Sequence, residues 1–190
     1  MSEPLRIPDF LDAAACEEIA AEMRAAGGGS ATVYGKESAG AVDSLVRKAT
    51  RLVMSARASD RVVRLLLERK SVLEQHFGVV LAHCEPPQFL RYVTGDYFVA
   101  HQDGNTPLIH DDSRFRKVSI VIFLSRKTAE PEAGSYGGGA LVTHGTYAES
   151  YRRSELEAEP GTFVAFRAET THEVTPVTHG ERYTIVSWYR

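Results

Sequence analysis

From residue 79 onward the chain consists of short apolar runs separated by turn-forming residues, and this pattern limits the possible folds most strongly. The clearest run, residues 117–124, reads KVSIVIFL and is rich in β-branched residues. Pairs such as Gly95-Asp96 and Pro160-Gly161 separate neighbouring runs. Many short strands with such turns are typical of a β-sandwich or a β-barrel. The other predicted strands are 79–82, 88–93, 139–143, 162–166, 172–177 and 182–189.

The first 80 residues have a mostly helical pattern. Asp12 is a suitable N-cap for a helix that the glycines at 27–29 would end. A second helix is predicted to start near Asp60 and to end at Gly78. Its apolar positions recur at helical spacing: Val62, Leu66, Leu73 and Phe77. Residues 42–55 are ambiguous, and we favour a strand followed by a loop. Helices packed on one side of the strands would give an α+β, mainly β fold.

The length of the chain and its net charge limit its organisation and its partners. The 190 residues fit one domain, 1–190, in which 1–80 form a mostly helical support and 81–190 the β core. A formal net charge of −3 gives no electrostatic basis for binding nucleic acid. No window approaches 18 apolar residues, so no transmembrane helix is expected. Oligomeric state stays open.

The N-terminus and the cysteines favour a cytoplasmic protein. The first residues, MSEPLR, lack the basic head and apolar stretch of a signal peptide. Cys16 and Cys84 lie in different segments, which is consistent with two free thiols in a reducing compartment.

Three side chains form the most informative chemical pattern. On a strand, residues i and i+2 point to the same face, so His101 and Asp103 could reach one ion if this segment is extended. His172 would supply a second imidazole from a distant strand. Two imidazoles and one carboxylate can occupy one face of an iron ion and leave positions for a co-substrate and oxygen. A His-x-Asp pair is common by chance, so the prediction depends on the joint pattern. The other histidines are expected to be structural or solvated, with His110 of interest because it lies in a long loop.

Arg182 begins the last predicted strand. A guanidinium binds a carboxylate through two parallel hydrogen bonds and stays charged when buried, so Arg182 could hold the far carboxylate of a metal-chelating keto acid. A surface arginine on an edge strand is the alternative. Thr184 would face the same side and could add a hydroxyl contact. Tyr92 could donate a hydrogen bond to the same ligand, or it could be a core tyrosine.

Several segments within residues 85–190 resemble a known family. Residues 91–103, RYVTGDYFVAHQD, resemble the iron-binding segment of prolyl 4-hydroxylase-like, 2-oxoglutarate- and Fe(II)-dependent dioxygenases. YGGGAL at 136–141 is similar to their glycine pair before a barrel strand, and EPGTFVAF at 159–166 to the strand before their distal histidine. HEVTPV at 172–177 and RYTIVSWY at 182–189 are similar to the closing motif of this family. The His-Glu-Val start, the arginine and the Trp-Tyr end are nearest to oxygen-sensing prolyl hydroxylases, whereas collagen-type relatives usually have lysine where Arg182 stands.

The resemblance implies a fold and a ligand set. The fold would be a double-stranded β-helix, or jelly roll, with N-terminal flanking helices. The iron ligands would be His101, Asp103 and His172. Arg182 would pair with the distal carboxylate of 2-oxoglutarate, helped by Tyr92. One departure is Phe123, where oxygen-sensing enzymes often have tyrosine, so the anchor would depend on Arg182, Tyr92 or Thr184.

The resemblance also implies an activity. The enzyme would hydroxylate an unactivated carbon, with a prolyl residue in a peptide or protein as the favoured target, and would release succinate and CO₂. Its cofactors would be Fe(II), 2-oxoglutarate and O₂, with ascorbate as a candidate reductant. The loop 104–116 could close over a peptide, or it could be a solvated charged loop. Two alternatives stay open: a hydroxylase of small molecules or free amino acids, and a non-catalytic binding or sensing module.

Overall fold

The computed structural model describes residues 3–33, 42–145, 153–156 and 159–190. Within these ranges most elements are strands, and the helices come early in the chain. The helices are α1 (Ala13–Ala25), α2 (Ala56–Glu68) and α3 (Lys70–Phe77), with a 3₁₀ helix at Asp112–Phe115. The strands are β1 (Leu5–Ile7), β2 (Gly28–Ser30), β3 (Arg47–Lys48), β4 (Thr50–Leu52), β5 (Gln88–Val93), β6 (Tyr97–His101), β7 (Val118–Phe123), β8 (Arg126–Lys127), β9 (Ser135–Gly138), β10 (Leu141–His144), β11 (Arg153–Glu155), β12 (Phe163–Arg167), β13 (His172–Val174) and β14 (Val177–Tyr189).

The strands form two sheets. The larger sheet has the order β1-β12-β7-β14-β5-β4-β2, with β9 also paired to β14 and β8 paired to β9. The smaller sheet has the order β11-β10-β13-β6-β3. Among the described strands every pairing is antiparallel except the short contact between β8 and β9. Neighbours in the sheets are mostly distant in sequence, as in β12 beside β7 and β13 beside β6.

The larger sheet is covered on both faces, which explains the continuous apolar run of β7. Ile122 packs with Met23 of α1 in one buried cluster that joins the helices to the sheet. The next residue, Phe123, packs with Leu141 and Val174 of the smaller sheet in a second cluster. Alternate residues of β7 therefore serve different cores. The result is three layers, with the helices, the larger sheet and the smaller sheet in that order, and it agrees with the predicted α+β, mainly β class.

The second predicted helix is two helices, and it begins earlier than expected. The hydroxyl of Ser55 accepts a hydrogen bond from the Ala58 N–H at 3.2 Å and so caps α2 ahead of the predicted start at Asp60. Arg69 ends α2 and begins α3, and its apolar neighbours keep the helical spacing across the break. Gly78 ends α3 with φ of 62°, as predicted. Of the described helices, none is both long and apolar enough to cross a membrane.

Three strand predictions need correction. Residues 79–82 form no strand; Leu81 packs in the core, and Ala82 makes a single backbone hydrogen bond to Arg190, at 2.6 Å. Residues 42–55 contain β3 and β4 instead of one strand and a loop. The last strand starts at residue 177 instead of 182, because its first part pairs with β9 and its second part with β5 and β7.

Candidate active site

The three predicted metal-binding side chains converge at one end of the smaller sheet. His101 ends β6 and His172 begins β13, and the two residues are paired directly across the sheet. Their ring centroids are 4.2 Å apart. The carboxylate oxygens of Asp103 lie 3.6 Å from His101 Nε2 and 3.4 Å from His172 Nε2. One ligand atom from each residue lies within 4.8 Å of the others, so the three could hold a single metal ion.

The position of Asp103 has a different cause from the one predicted. The strand ends at His101, so Asp103 lies beyond it and strand alternation does not orient its side chain. Instead, the backbone N–H of Asp103 donates to the Ala168 carbonyl at 2.9 Å, and the N–H of Gly104 donates to the same oxygen at 3.2 Å. A contact with the turn after β12 therefore holds the carboxylate beside the two imidazoles.

Hydrogen bonds fix the orientation of each of the three side chains. The Nδ1 atom of His101 lies 2.8 Å from the Val99 carbonyl, and Nδ1 of His172 lies 2.9 Å from the Thr170 carbonyl. A carbonyl can only accept, so both Nδ1 atoms carry the proton and both Nε2 atoms present a lone pair. The Ser119 hydroxyl donates to Asp103 Oδ2 at 2.7 Å. Such outer contacts are typical of metal ligands.

The electrostatics of the cluster favour a bound cation. Burial, together with the neighbouring His101, lowers the pKa of His172 to about 4, so this imidazole is neutral at physiological pH. Burial acts to raise the pKa of Asp103, but the neighbouring His172, His101 and Arg116 side chains hold it well below its usual range. Two imidazoles and one carboxylate fit a divalent first-row ion.

Arg182 supplies a cation in the same cavity. Its side chain is 1% exposed, and its Cζ lies 5.3 Å from the Tyr92 ring centroid and 5.5 Å from that of Phe123. Its Nη1 donates to the Thr184 hydroxyl at 3.3 Å. Its Nε has no hydrogen-bond partner among the described residues. A buried guanidinium with an unused donor fits a carboxylate ligand, because burying an unpaired charge is unfavourable.

One cavity of about 230 Å³ connects these groups. All six residues predicted for the site line it: Tyr92, His101, Asp103, His172, Arg182 and Thr184. His110 does not line it and is exposed, whereas its neighbour Ile109 does. Arg47 and Trp188 also line the cavity, although neither was predicted as a site residue. Arg47 had no signal because its segment had no clear pattern, and Trp188 was part of a motif without an assigned role.

Comparison with known proteins identifies the family. The sequence profile of the 2OG-Fe(II) oxygenase superfamily matches residues 87–190. The chain belongs to this superfamily. It is 33% identical over 189 residues to a PKHD-type hydroxylase of Paracoccus denitrificans (strain Pd 1222), covering 97% of this chain and 76% of that protein. It is 30% identical over 190 residues to a PKHD-type hydroxylase of Phenylobacterium zucineum (strain HLK1), with 97% and 76% covered.

Solved structures show the same fold. A Pseudomonas putida prolyl-4-hydroxylase superimposes with a TM-score of 0.74 at 22% identity, covering 100% of this chain and 93% of that one. A Trichoplax adhaerens prolyl hydroxylase, in complex with a hypoxia inducible factor oxygen degradation domain peptide fragment, gives a TM-score of 0.73 at 14% identity, with 100% and 84% covered. These likenesses confirm the jelly roll.

Membership of the superfamily decides between the open classes. This superfamily member is an enzyme, a 2-oxoglutarate- and Fe(II)-dependent hydroxylase that uses O₂. The non-catalytic module is therefore the wrong alternative. The predicted resemblance to prolyl 4-hydroxylase-like oxygenases is confirmed at the level of family and fold.

Proposed function

We propose that this superfamily member hydroxylates a prolyl residue in a peptide or protein and releases succinate and CO₂. The observation that carries the proposal is the convergence of His101, Asp103 and His172 with the buried Arg182 in one cavity. Two solved structures of the same fold are prolyl hydroxylases, and one of them holds a peptide. We also propose that residues 1–190 act as one catalytic domain in the cytoplasm, in keeping with two free cysteines.

Each site residue has a proposed role. His101 and His172 would bind iron through Nε2, and Asp103 would bind it through a carboxylate oxygen. Iron held there would supply the chemistry by which O₂ oxidises both 2-oxoglutarate and the substrate. Arg182 would pair with the distal carboxylate of 2-oxoglutarate, and the Thr184 hydroxyl, which already accepts from its Nη1, would keep the guanidinium in place.

Packing around the ligands would exclude water and limit their movement. The Phe98 ring stacks on the His101 imidazole with centroids 3.5 Å apart and an interplanar angle of 16°. The Phe166 ring meets the His172 ring edge-on at 4.8 Å. The Tyr92 ring forms the wall beside Arg182, and its proposed contribution is to bind the keto acid with the arginine. Side chains held rigidly by such ring contacts favour precise placement of the reacting groups.

The test is an aerobic assay of the protein with Fe(II) and 2-oxoglutarate. The probes are proline-containing peptides, the same peptides with alanine for proline, and a set of free amino acids. We expect the proline peptides to gain the mass of one oxygen atom with matching release of succinate, and the alanine peptides to stay unchanged. The Asp103→Ala variant serves as the inactive control. Oxidation of free amino acids alone would replace the prolyl-peptide proposal with a small-molecule hydroxylase.

A further inference from the structure

Arg47 is a second buried guanidinium in the active-site cavity. Its side chain lines the cavity, and the residue is 7% exposed. Nη1 donates to the Thr32 carbonyl at 2.9 Å, but Nε has no hydrogen-bond partner in the part of the chain that the structure describes. Over the same residues, no carboxylate lies within 4.0 Å of the guanidinium nitrogens. Burying a cation without a counter-charge is unfavourable, so the burial of Arg47 with none among the described residues points to a ligand.

The position of Arg47 relates it to the reacting centre. Arg47 lies on β3 and pairs with Phe98 on β6. The Arg47 Cζ lies 4.7 Å from the Phe98 ring centroid. The Phe98 ring in turn stacks on His101 at 3.5 Å. Arg47 belongs to the smaller sheet, whereas Arg182 belongs to the larger one. The two guanidinium groups therefore approach the cavity from different walls. Of the two, Arg182 is the one proposed to bind the keto acid.

The other charged groups of the cavity have partners of their own. Arg116 forms two hydrogen bonds with Glu85, at 2.9 Å and 2.7 Å, so its charge is balanced. Asp103 belongs to the metal cluster. Asp43 lines the cavity near Arg47, and its Oδ1 accepts the Leu45 N–H at 3.0 Å. Among the described residues of the cavity, Arg47 is therefore the cation that could bind an anion other than 2-oxoglutarate.

We infer that Arg47 binds a carboxylate of the substrate close to the carbon that is hydroxylated. The inference rests on the proposed function and narrows its substrate class to acidic substrates. A carboxylate can accept from Nε and from a second guanidinium nitrogen in parallel, which a neutral amide cannot match. The carboxylate belongs either to an acidic side chain next to the target residue of a peptide or to a free amino acid, and one set of probes separates these two sources.

The test measures binding without turnover. The protein with iron and 2-oxoglutarate is kept under nitrogen, and binding is followed by calorimetry. The first pair of probes is the N-acetylated, C-amidated tetrapeptide Ala-Pro-Glu-Ala and its Ala-Pro-Gln-Ala counterpart; the second pair is L-proline and L-prolinamide. We expect the carboxylate member of one pair to bind about 10- to 100-fold more tightly than its amide, as a charge-assisted hydrogen bond provides. A preference in the peptide pair would identify an acidic side chain as the bound carboxylate, and a preference in the proline pair would identify a free amino acid.

Variants connect the preference to Arg47. Arg47→Gln should abolish the preference while the dissociation constant of 2-oxoglutarate and the bound iron stay at wild-type values. Arg47→Lys keeps a charge without the planar fork and should reduce the preference in part, which keeps the inference testable if the glutamine variant folds poorly. Arg51→Gln is the matched control and should keep the preference, because Arg51 is exposed on β4, the next strand along the chain.

Several results would overturn the inference. They are equal binding of acid and amide in both wild-type pairs, an undiminished preference in Arg47→Gln, or loss of 2-oxoglutarate binding in that variant. Failure of the proposed function gives a different result. In that case the carboxylate preference and its loss in Arg47→Gln would persist under nitrogen, while no proline probe would gain oxygen in air.

Discussion

The active-site side chains are held by hydrogen bonds to other groups of the protein. Thr170 and Val99 fix the two imidazoles through their carbonyls, and Ser119 fixes Asp103. Each of these contacts leaves the metal-facing atom unused. Because little side-chain entropy remains to be lost on binding, the site is pre-organised for a cation.

His172→Ala should abolish iron retention and leave the fold largely intact. The residue supplies one of three ligands, and its side chain contributes little to the apolar clusters. Metal content after desalting would measure the first effect, and circular dichroism with thermal unfolding the second. His110→Ala is the matched control. Because His110 is exposed, this variant should retain iron at the wild-type level. A His172→Ala protein with full iron content and activity would remove His172 from the ligand set.

Arg182→Ala should raise the KM for 2-oxoglutarate by about 10- to 100-fold, since hydrogen bonds to a charged group contribute roughly 1.5–3 kcal/mol. The variant should keep iron, because Arg182 is not among the three clustered ligands. Steady-state kinetics with varied 2-oxoglutarate would measure the change. Arg182→Lys, which keeps the charge, should show a smaller increase. An unchanged KM in the alanine variant would contradict the proposed role.

At the scale of elements, the loop from residue 104 to residue 116 is tied to the metal site at its base. A Cβ placed on Gly104 would lie 2.5 Å from the Ser113 carbonyl oxygen, 2.6 Å from Arg116 Cβ and 2.8 Å from the Arg116 carbonyl oxygen. Two of these atoms belong to the backbone and cannot move away independently. The glycine therefore allows the two ends of the loop to pack against each other directly beside Asp103.

Gly104→Ala should weaken iron binding and lower activity at least several-fold, because the loop base must shift and Asp103 precedes it. We would measure the dissociation constant of Fe(II) under nitrogen together with the melting temperature. Gly27→Ala is the control; a Cβ there meets nothing within 4 Å, so both quantities should stay close to wild type. Wild-type iron affinity in Gly104→Ala would show that the loop base does not position the carboxylate.

At the scale of the whole molecule, one buried carboxylate connects distant parts of the chain. Glu85, just before β5, accepts hydrogen bonds from Arg116 at the end of the loop and from Arg190 after β14, the latter at 2.9 Å. The Arg116 guanidinium also lies over the Trp188 ring, 3.8 Å from its centroid. Removing one partner from such a network typically costs about 3–5 kcal/mol.

The Glu85 network should make stability depend on pH. Burial acts to raise the pKa of Glu85, but Arg116 and Arg190 bring it below its ordinary value of 4.5. With the folded pKa below the unfolded one, this stabilisation is present above about pH 4.5 and is lost as pH falls through the folded pKa. Urea unfolding between pH 7 and pH 3 should show Glu85→Gln less stable at neutral pH, with a smaller decrease towards acid.

The control for that measurement is Glu17→Gln. Glu17 pairs with Arg24 on the surface of α1, with 72% of its side chain exposed, so its removal should change neither the stability at pH 7 nor the slope with pH. An acid slope in Glu85→Gln equal to that of the wild type would show that the network does not set the pH dependence.

Local sequence patterns predicted several of the strands around the site and which residues form the candidate site. The continuous, β-branched apolar run at residues 117–124 by itself indicates a buried strand, so β7 could be predicted without knowledge of its neighbours. His172 and Arg182 lie in segments predicted as strands, whereas β6, which ends at His101, was not among the predicted strands.

Features that depend on contacts between distant segments could be read only from the folded chain. Asp103 faces the imidazoles because its backbone bonds to Ala168, a partner 65 positions later that no local pattern indicates. Arg47 is buried beside Phe98 because β3 joins the edge of the smaller sheet. Periodicity shows which face of one segment is buried. The partner of a polar side chain is set only by the tertiary contacts of the folded chain.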